Sequence, residues 1–254
     1  MTPPAPPFVT VEALSKNFAA ERVLDRVGFS LERESVLAIL GRSGGGKTTL
    51  LKLLAGLVPA DTGRFLLDGR DLTAVPPEQR EVVYLYQEPL LFPHLSVREN
   101  LVFGLRLRRL DDAAMRARIE PLVERLGLAE HLEKMPAQLS GGQRQRVAFG
   151  RALAIQPPLL LLDEPFGSLD ATTRAEMQKL FREVARQVAI TAIFVTHDVK
   201  EALIVGDRFA HLADGQMKLF ADRAAFIADP VSGAAAEIAF WNSLASQTPS
   251  PPRA

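Results

Sequence analysis

The sequence has no cysteine, one tryptophan, two tyrosines and no excess of charge of either sign. Each shortage removes a class of function. Without cysteine there are no disulfides, thiolate metal sites or cysteine nucleophiles. Thirty Lys plus Arg stand against thirty Asp plus Glu, a formal net charge of zero with histidines neutral. No global basic field exists to hold a polyanion, so no nucleic-acid partner is expected. No run reaches the roughly 18–20 apolar residues of a membrane span. Leu50–Val58 is interrupted by Lys52, and Leu159–Leu162 ends at Asp163. Met1–Pro7 lacks the basic and apolar stretches of a secretory signal. These absences predict a soluble chain in the cytoplasm.

What is present suffices for a single domain. A chain of 254 residues buries about three quarters of its unfolded surface and needs no staples. The Pro-rich 1–7 and Ser/Pro-rich 246–254 are expected to be disordered. Between them, apolar runs at Val36–Leu40, Val82–Tyr86, Leu159–Leu162 and Ile190–Val195 predict buried strands. Helical patterns follow at Lys47–Leu57, Thr172–Val188 and Lys200–Val205. That alternation predicts an α/β fold with a mostly parallel sheet. The alternation stops over about 88–156, where Asp111–Leu126 and Ser140–Ile155 have helical spacing, so a helical subdomain is inserted there. The core then comprises 8–87 and 157–225, with 226–254 as a C-terminal extension. Arg106–Arg109, balanced by Asp111, Asp112 and Glu120, reads as a solvated helix face.

Gly41-Arg42-Ser43-Gly44-Gly45-Gly46-Lys47-Thr48 matches G-x-x-x-x-G-K-[ST], between a predicted strand and a predicted helix. Glycines let successive N–H groups turn inward on a polyphosphate, and the helix start adds partial positive charge. Lys47 can reach the β- and γ-phosphates, and the Thr48 hydroxyl can ligate Mg²⁺, with Thr49 beside it. Asp163 ends a four-leucine strand, where it can hold Mg²⁺. Glu164 follows, where it can polarise a water attacking the γ-phosphate. ATP and Mg²⁺ are the expected cofactors.

Leu139-Ser140-Gly141-Gly142-Gln143-Arg144-Gln145-Arg146-Val147-Ala148 offers a second helix start suited to an anion. The segment resembles the signature motif of ABC transporter ATP-binding subunits. The resemblance runs from about Val9 to Phe220 and implies a RecA-like P-loop core with an antiparallel β region near the N-terminus. It implies a head-to-tail dimer, with a second copy or a homologous subunit, sandwiching two ATP molecules. Ser140, Gly141, Gly142 and Gln143 of one subunit would then serve the nucleotide held by the other. It further implies that Phe18 stacks on adenine and that Gln87 links the γ-phosphate and Mg²⁺ to the helical subdomain. Asp170 would communicate across the dimer, and His197 would contact the γ-phosphate. His94, His131 and His211 read as structural. Two departures stand out: Glu34-Ser35 replaces the usual Gly-Glu, which predicts a changed turn, and Gly150 replaces the usual Ala, at a helix-propensity cost of about 1 kcal/mol.

Tyr86–Gly104 is similar to the corresponding segment of importer subunits for oxyanions, iron(III) and polyamines. This implies separate transmembrane permease subunits docking near Gln87–Val97, an extracytoplasmic solute-binding protein, and a place on the cytoplasmic side of the inner membrane through protein contacts. About 34 residues follow Phe220, too few for the regulatory barrel many such subunits carry. A short helix bearing Trp241, packed on the core or on a partner, fits instead. A soluble ABC-type ATPase acting on DNA or ribosomes is the alternative. It is disfavoured because only about ninety residues separate the phosphate loop from Ser140, and because there is one ATPase unit. An unrelated P-loop kinase or GTPase is disfavoured by Leu139–Ala148.

Overall fold

Leucine at every position of Leu159–Leu162 demands burial on both faces, and this strand lies inside a six-stranded sheet. The computed structural model describes residues 6–19 and 21–246. The expectation of disorder at the termini therefore falls mostly outside the described residues. The strands are β1 (Val9–Phe18), β2 (Glu21–Leu31), β3 (Val36–Leu40), β4 (Thr62–Leu67), β5 (Arg70–Asp71), β6 (Val82–Leu85), β7 (Leu159–Asp163), β8 (Ala192–Thr196), β9 (Arg208–Ala213) and β10 (Gln216–Phe220). The helices are α1 (Lys47–Ala55), α2 (Val97–Leu107), α3 (Asp112–Arg125), α4 (Gly141–Ala154), α5 (Ala171–Gln187), α6 (Val199–Val205), α7 (Arg223–Ala228) and α8 (Ala234–Ser246).

The larger sheet has the order β10-β9-β3-β8-β7-β6. All its pairings are parallel except β10 with β9. A second, antiparallel sheet of order β2-β1-β4-β5 comes from the N-terminal region. Strand side chains alternate between two cores. Leu159, Leu161, Ile193 and Val195 face α1 and the antiparallel sheet, whereas Leu160, Leu162, Ala192 and Phe194 face the helical side. Double-sided burial is why these strands read as unbroken apolar runs. The fold is α/β, with α2–α4 inserted between β6 and β7.

Several boundaries moved for identifiable reasons. The first predicted helix ends at Ala55 because Gly56 takes φ 77°. Arg80 then closes that end, donating to the Leu53, Leu54, Val75 and Thr73 carbonyls. A cation on the last carbonyls of a helix is favoured. The last predicted strand starts at Ala192, since the Ile190 N–H donates to the Ala185 carbonyl and closes α5. Helix α8 runs through Ser246, one residue into the segment expected to be loose. Trp241 lies over α6, with the Lys200 Nζ 3.2 Å from its ring centre.

The two departures have structural consequences. At Gly150 a Cβ would lie 2.5 Å from Leu101 Cδ2 and 3.0 Å from Leu126 Cδ1, so glycine admits close packing of α4 on its neighbours. The propensity cost is thus the lesser effect, since overpacking costs about 1–3 kcal/mol. Glu34 adopts φ 58° while its N–H donates to Thr191 Oγ1 at 2.9 Å. The turn keeps a backbone suited to glycine and occupies it with glutamate. A left-handed non-glycine residue costs about 1–2 kcal/mol. Glu34→Gly is therefore expected to raise the thermal midpoint by about 2 °C, net of the greater unfolded-state freedom of glycine. A lower midpoint in calorimetry would count against strain at this turn.

Candidate functional site

The turn from β3 into α1 is built to approach an anion. The Gly41 N–H donates to the Thr196 carbonyl, and a Cβ at Gly41 would meet the Leu212 carbonyl oxygen at 2.3 Å. Gly46 takes φ 89°, with its own Cβ position blocked by Val23 and Leu24. Helices α2 to α7 each begin under a side-chain cap from Ser96, Asp111, Ser140, Asp170, Asp198 or Asp222. Helix α1 begins with no side-chain cap and no acid in its first turn. Its leading N–H groups are left for a ligand, and the helix dipole adds to their pull on negative charge.

Across the cavity, the ends of β7 and β8 supply the opposing groups. Thr48 Oγ1 donates to Asp163 Oδ1 at 3.0 Å, and the Tyr84 hydroxyl donates to Asp163 Oδ2 at 2.5 Å. Burial, then the Asp163 carboxylate, pushes the Tyr84 phenol well above its ordinary pKa, so it remains a donor. Lys47 is buried, and its Nζ donates to the Gly41 and Arg42 carbonyls at 2.8 and 3.0 Å. The same Nζ lies 3.3 Å from Glu164 Oε1, while Glu164 Oε2 lies 2.7 Å from His197 Nδ1. Glu164 adopts φ 43°, a strained conformation held by its N–H on Val195 and its carbonyl under Gly167 N–H. Cation, carboxylate and imidazole thus form one chain.

A cavity of about 550 Å³ gathers Ser43, Gly44, Gly46, Lys47, Thr48, Thr49, Gln87, Asp163, Glu164 and His197. Gly41, Arg42, Ser43 and His197 also line an adjoining cavity that reaches Pro230–Gly233, and the Gly45 N–H closes the loop on the Arg42 carbonyl. Phe18 is not among the lining residues. It sits 46 % exposed at the end of β1, with Lys16 Nζ 5.5 Å from its ring centre. Ser140, Gly141, Gly142, Gln143 and Asp170 likewise do not line this cavity. Ser140 and Gln143 make reciprocal caps at the start of α4. Asp170 caps α5, and the Thr173 N–H, then its hydroxyl, holds the carboxyl below the usual range.

Four contributors escaped the motif reading. Val23 on β2 lines the cavity, Tyr84 steadies Asp163, and Asn100 and Arg151 shape the segment after Gln87. Asn100 is fully buried, donating to the Phe92, Leu95 and Ser96 carbonyls and accepting from the Phe92 N–H. Arg151 donates to the Leu90 carbonyl and lies over the Phe92 ring. A tyrosine two residues before the end of an apolar strand and a lone Asn after a capping Ser carry no signal of their own.

A cradle of this kind takes a polyphosphate, and its position at the strand ends of a parallel sheet makes the chain a P-loop nucleotide-binding protein. Residues 24–167 match the family described as ABC transporter. The chain belongs to that family, whose ATP-binding subunits are ATPases, and membership implies ATP binding. It is 44% identical over 210 residues to the sulfate/thiosulfate import ATP-binding protein CysA of Thermosynechococcus vestitus, covering 83% of this chain and 62% of that protein. It is 42% identical over 209 residues to the probable sulfate/thiosulfate import ATP-binding protein CysA of Chlorella vulgaris, covering 82% and 89%. Among solved structures it is similar to cbiO1 of Clostridium perfringens, part of the ABC transporter complex cbiONQ. The TM-score is 0.77 at 30% identity, covering 85% of this chain and 88% of that one. Against the Thermosynechococcus relative, the chain spans a little under two thirds of the length. Among the described residues, no helix is long and apolar enough to cross a membrane.

Proposed function

We propose that this chain is the ATP-hydrolysing subunit of an importer, acting on the cytoplasmic face of a membrane through contacts with separate permease subunits. The Lys47–Glu164–His197 chain beside the uncapped start of α1 carries the hydrolytic reading. The names of the relatives favour an inorganic oxyanion as cargo; the resemblance of Tyr86–Gly104 to importer subunits is what suggests an extracytoplasmic solute-binding protein in the complex.

Magnesium fits the donor set. Thr48 and Asp163 offer hard oxygens, with Gln87 in the same cavity. Among the described residues no cluster of three or more His, Asp or Glu makes a closed cage. Few protein ligands, with phosphate and water filling the rest, is how Mg²⁺ is commonly held. Bound there, the ion would neutralise charge building between the β- and γ-phosphates. The α1 N–H groups and Lys47 would hold the polyphosphate, and Glu164 would take the proton of the attacking water. His197 donates through Nδ1 to Glu164 Oε2, and its Nε2 is the ring nitrogen left to face the γ-phosphate.

The second helix start, Ser140–Gln143, lies away from this cavity, so it would serve nucleotide on a second copy. The γ-phosphate site is then complete only in the dimer. A shallow groove of about 190 Å³ between β6 and the inserted helices, lined by Val83, Phe92, Phe103, Gly104 and Arg151, suits a permease helix. Mixing two separately inactive variants, Lys47→Ala and Ser140→Arg, tests the shared site. Mixed dimers retain one intact composite site, so ATPase activity should appear in the mixture and in neither variant alone. A mixture as inactive as its components would overturn the head-to-tail arrangement.

A further inference from the structure

The proposed chemistry leaves a buried acid unused. Glu201, in the first turn of α6, is 4 % exposed. Its Oε2 accepts from the Thr196 hydroxyl, and its Oε1 accepts from Gln178 Nε2 at 3.0 Å. Thr196 Oγ1 in turn accepts the Asp198 N–H at 3.0 Å, and the Glu201 N–H donates to Asp198 Oδ1 at 3.1 Å. Thr196 and Asp198 are the residues on either side of His197: Thr196 is tied directly to the Glu201 side chain, and Asp198 is tied to it through the Thr196 hydroxyl and to α6 through the Glu201 N–H. Gln178 is itself buried and belongs to α5, the helix that Asp170 caps. A carboxylate withdrawn from water is costly unless its acceptor sites are filled, and here each oxygen has a donor. His197 is by contrast 55 % exposed at its side chain, and its hydrogen bond among the described residues goes to Glu164. Its place depends on its backbone neighbours.

We infer that Glu201 is a positioning residue for ATP hydrolysis, holding the Thr196–Asp198 turn so that His197 meets Glu164 and the γ-phosphate. This rests on the reading of His197 given above. The role is one of hydrogen bonding rather than charge. Glutamine at 201 can accept from Thr196 through its Oε1 and donate to Gln178 once that amide turns over. Alanine can do neither. A displacement near 1 Å at a reacting centre costs about 100-fold in rate.

Steady-state ATPase kinetics on five variants test the inference. Glu201→Ala is expected to lower kcat about 10–100-fold with KM for ATP within about twofold. Glu201→Gln should retain most of the parent kcat. Thr196→Val keeps the branched shape of the strand residue and removes the hydroxyl, so it should match the kcat loss of Glu201→Ala. If Glu201→Ala does not fold, Thr196→Val carries the same test. Adding Glu201→Ala to His197→Ala should cost nothing further, because the group being positioned is gone. Glutamine as damaging as alanine, a loss confined to KM, or losses that multiply in the double variant would each overturn the positioning role. A His197→Ala variant that turns over at the parent rate would instead sink the reading of His197, and this proposal with it.

Discussion

Glu164→Gln is expected to bind ATP, dimerise and stop. The amide keeps the size of the carboxyl and can still accept from His197, so the cavity geometry should survive. It cannot take a proton from water. General-base catalysis supplies about 10²–10⁴-fold in rate, so kcat should fall on the order of 1,000-fold. ATP affinity should hold or rise, because the replaced carboxylate, 3.3 Å from Lys47 Nζ, is a negative charge near the incoming γ-phosphate. The same change frees Lys47 of its ion pair for the phosphate. With hydrolysis blocked, nothing reopens the pair, so size-exclusion chromatography with MgATP should show a dimer that the parent protein does not accumulate. Turnover above a tenth of the parent rate would refute Glu164 as the base. A variant that is inactive yet monomeric with MgATP would refute the sandwich and leave the base intact.

Much of the fold was legible because its strands are buried twice. Leu159–Leu162 and Val36–Leu40 have no polar face to confuse the pattern, and helix α1 follows a glycine-rich turn that has few other uses. The phosphate loop and Asp163–Glu164 were legible for the same reason: their chemistry is local in sequence and the sheet brings it together. His197 and Gln87 were singled out only through resemblance, since nothing in a lone histidine or glutamine announces that the fold will bring it to the cavity. What stayed hidden is made of long-range polar contacts. Arg80 reaches back to close α1, Tyr84 crosses to Asp163, and Glu201 joins Thr196 to Gln178. Each is a polar side chain in an apolar neighbourhood, whose partner depends on a fold not yet known when the sequence is read. Gly150 was misjudged for a related reason. Propensity is a property of one helix, but the space at residue 150 is set by Leu101 on α2 and by Leu126, just past the end of α3.

Lys47→Ala should lose the nucleotide itself. Lys47 is 4 % exposed and its ammonium donates to two loop carbonyls while facing Glu164. A buried ammonium is expensive to keep unless an anion compensates it. Glu164 does so in part, and a polyphosphate would do so more fully. A hydrogen bond to a charged group contributes about 1.5–3 kcal/mol. Removing the lysine that lines the cavity should then weaken ATP binding on the order of 100-fold. Affinity for adenosine should be nearly unchanged, because the loss lies at the phosphate end. That split separates a cradle defect from a folding defect, which would weaken both ligands together and lower the thermal midpoint steeply. Only modest destabilisation is expected, since Glu164 keeps its contact with His197 when Lys47 is gone. Unchanged ATP affinity in a titration at fixed Mg²⁺ would remove Lys47 from the phosphate site. The uncapped N–H groups of α1 would then have to hold the polyphosphate with Arg42 as the remaining cation of the loop, which one turn of backbone donors does poorly at physiological ionic strength.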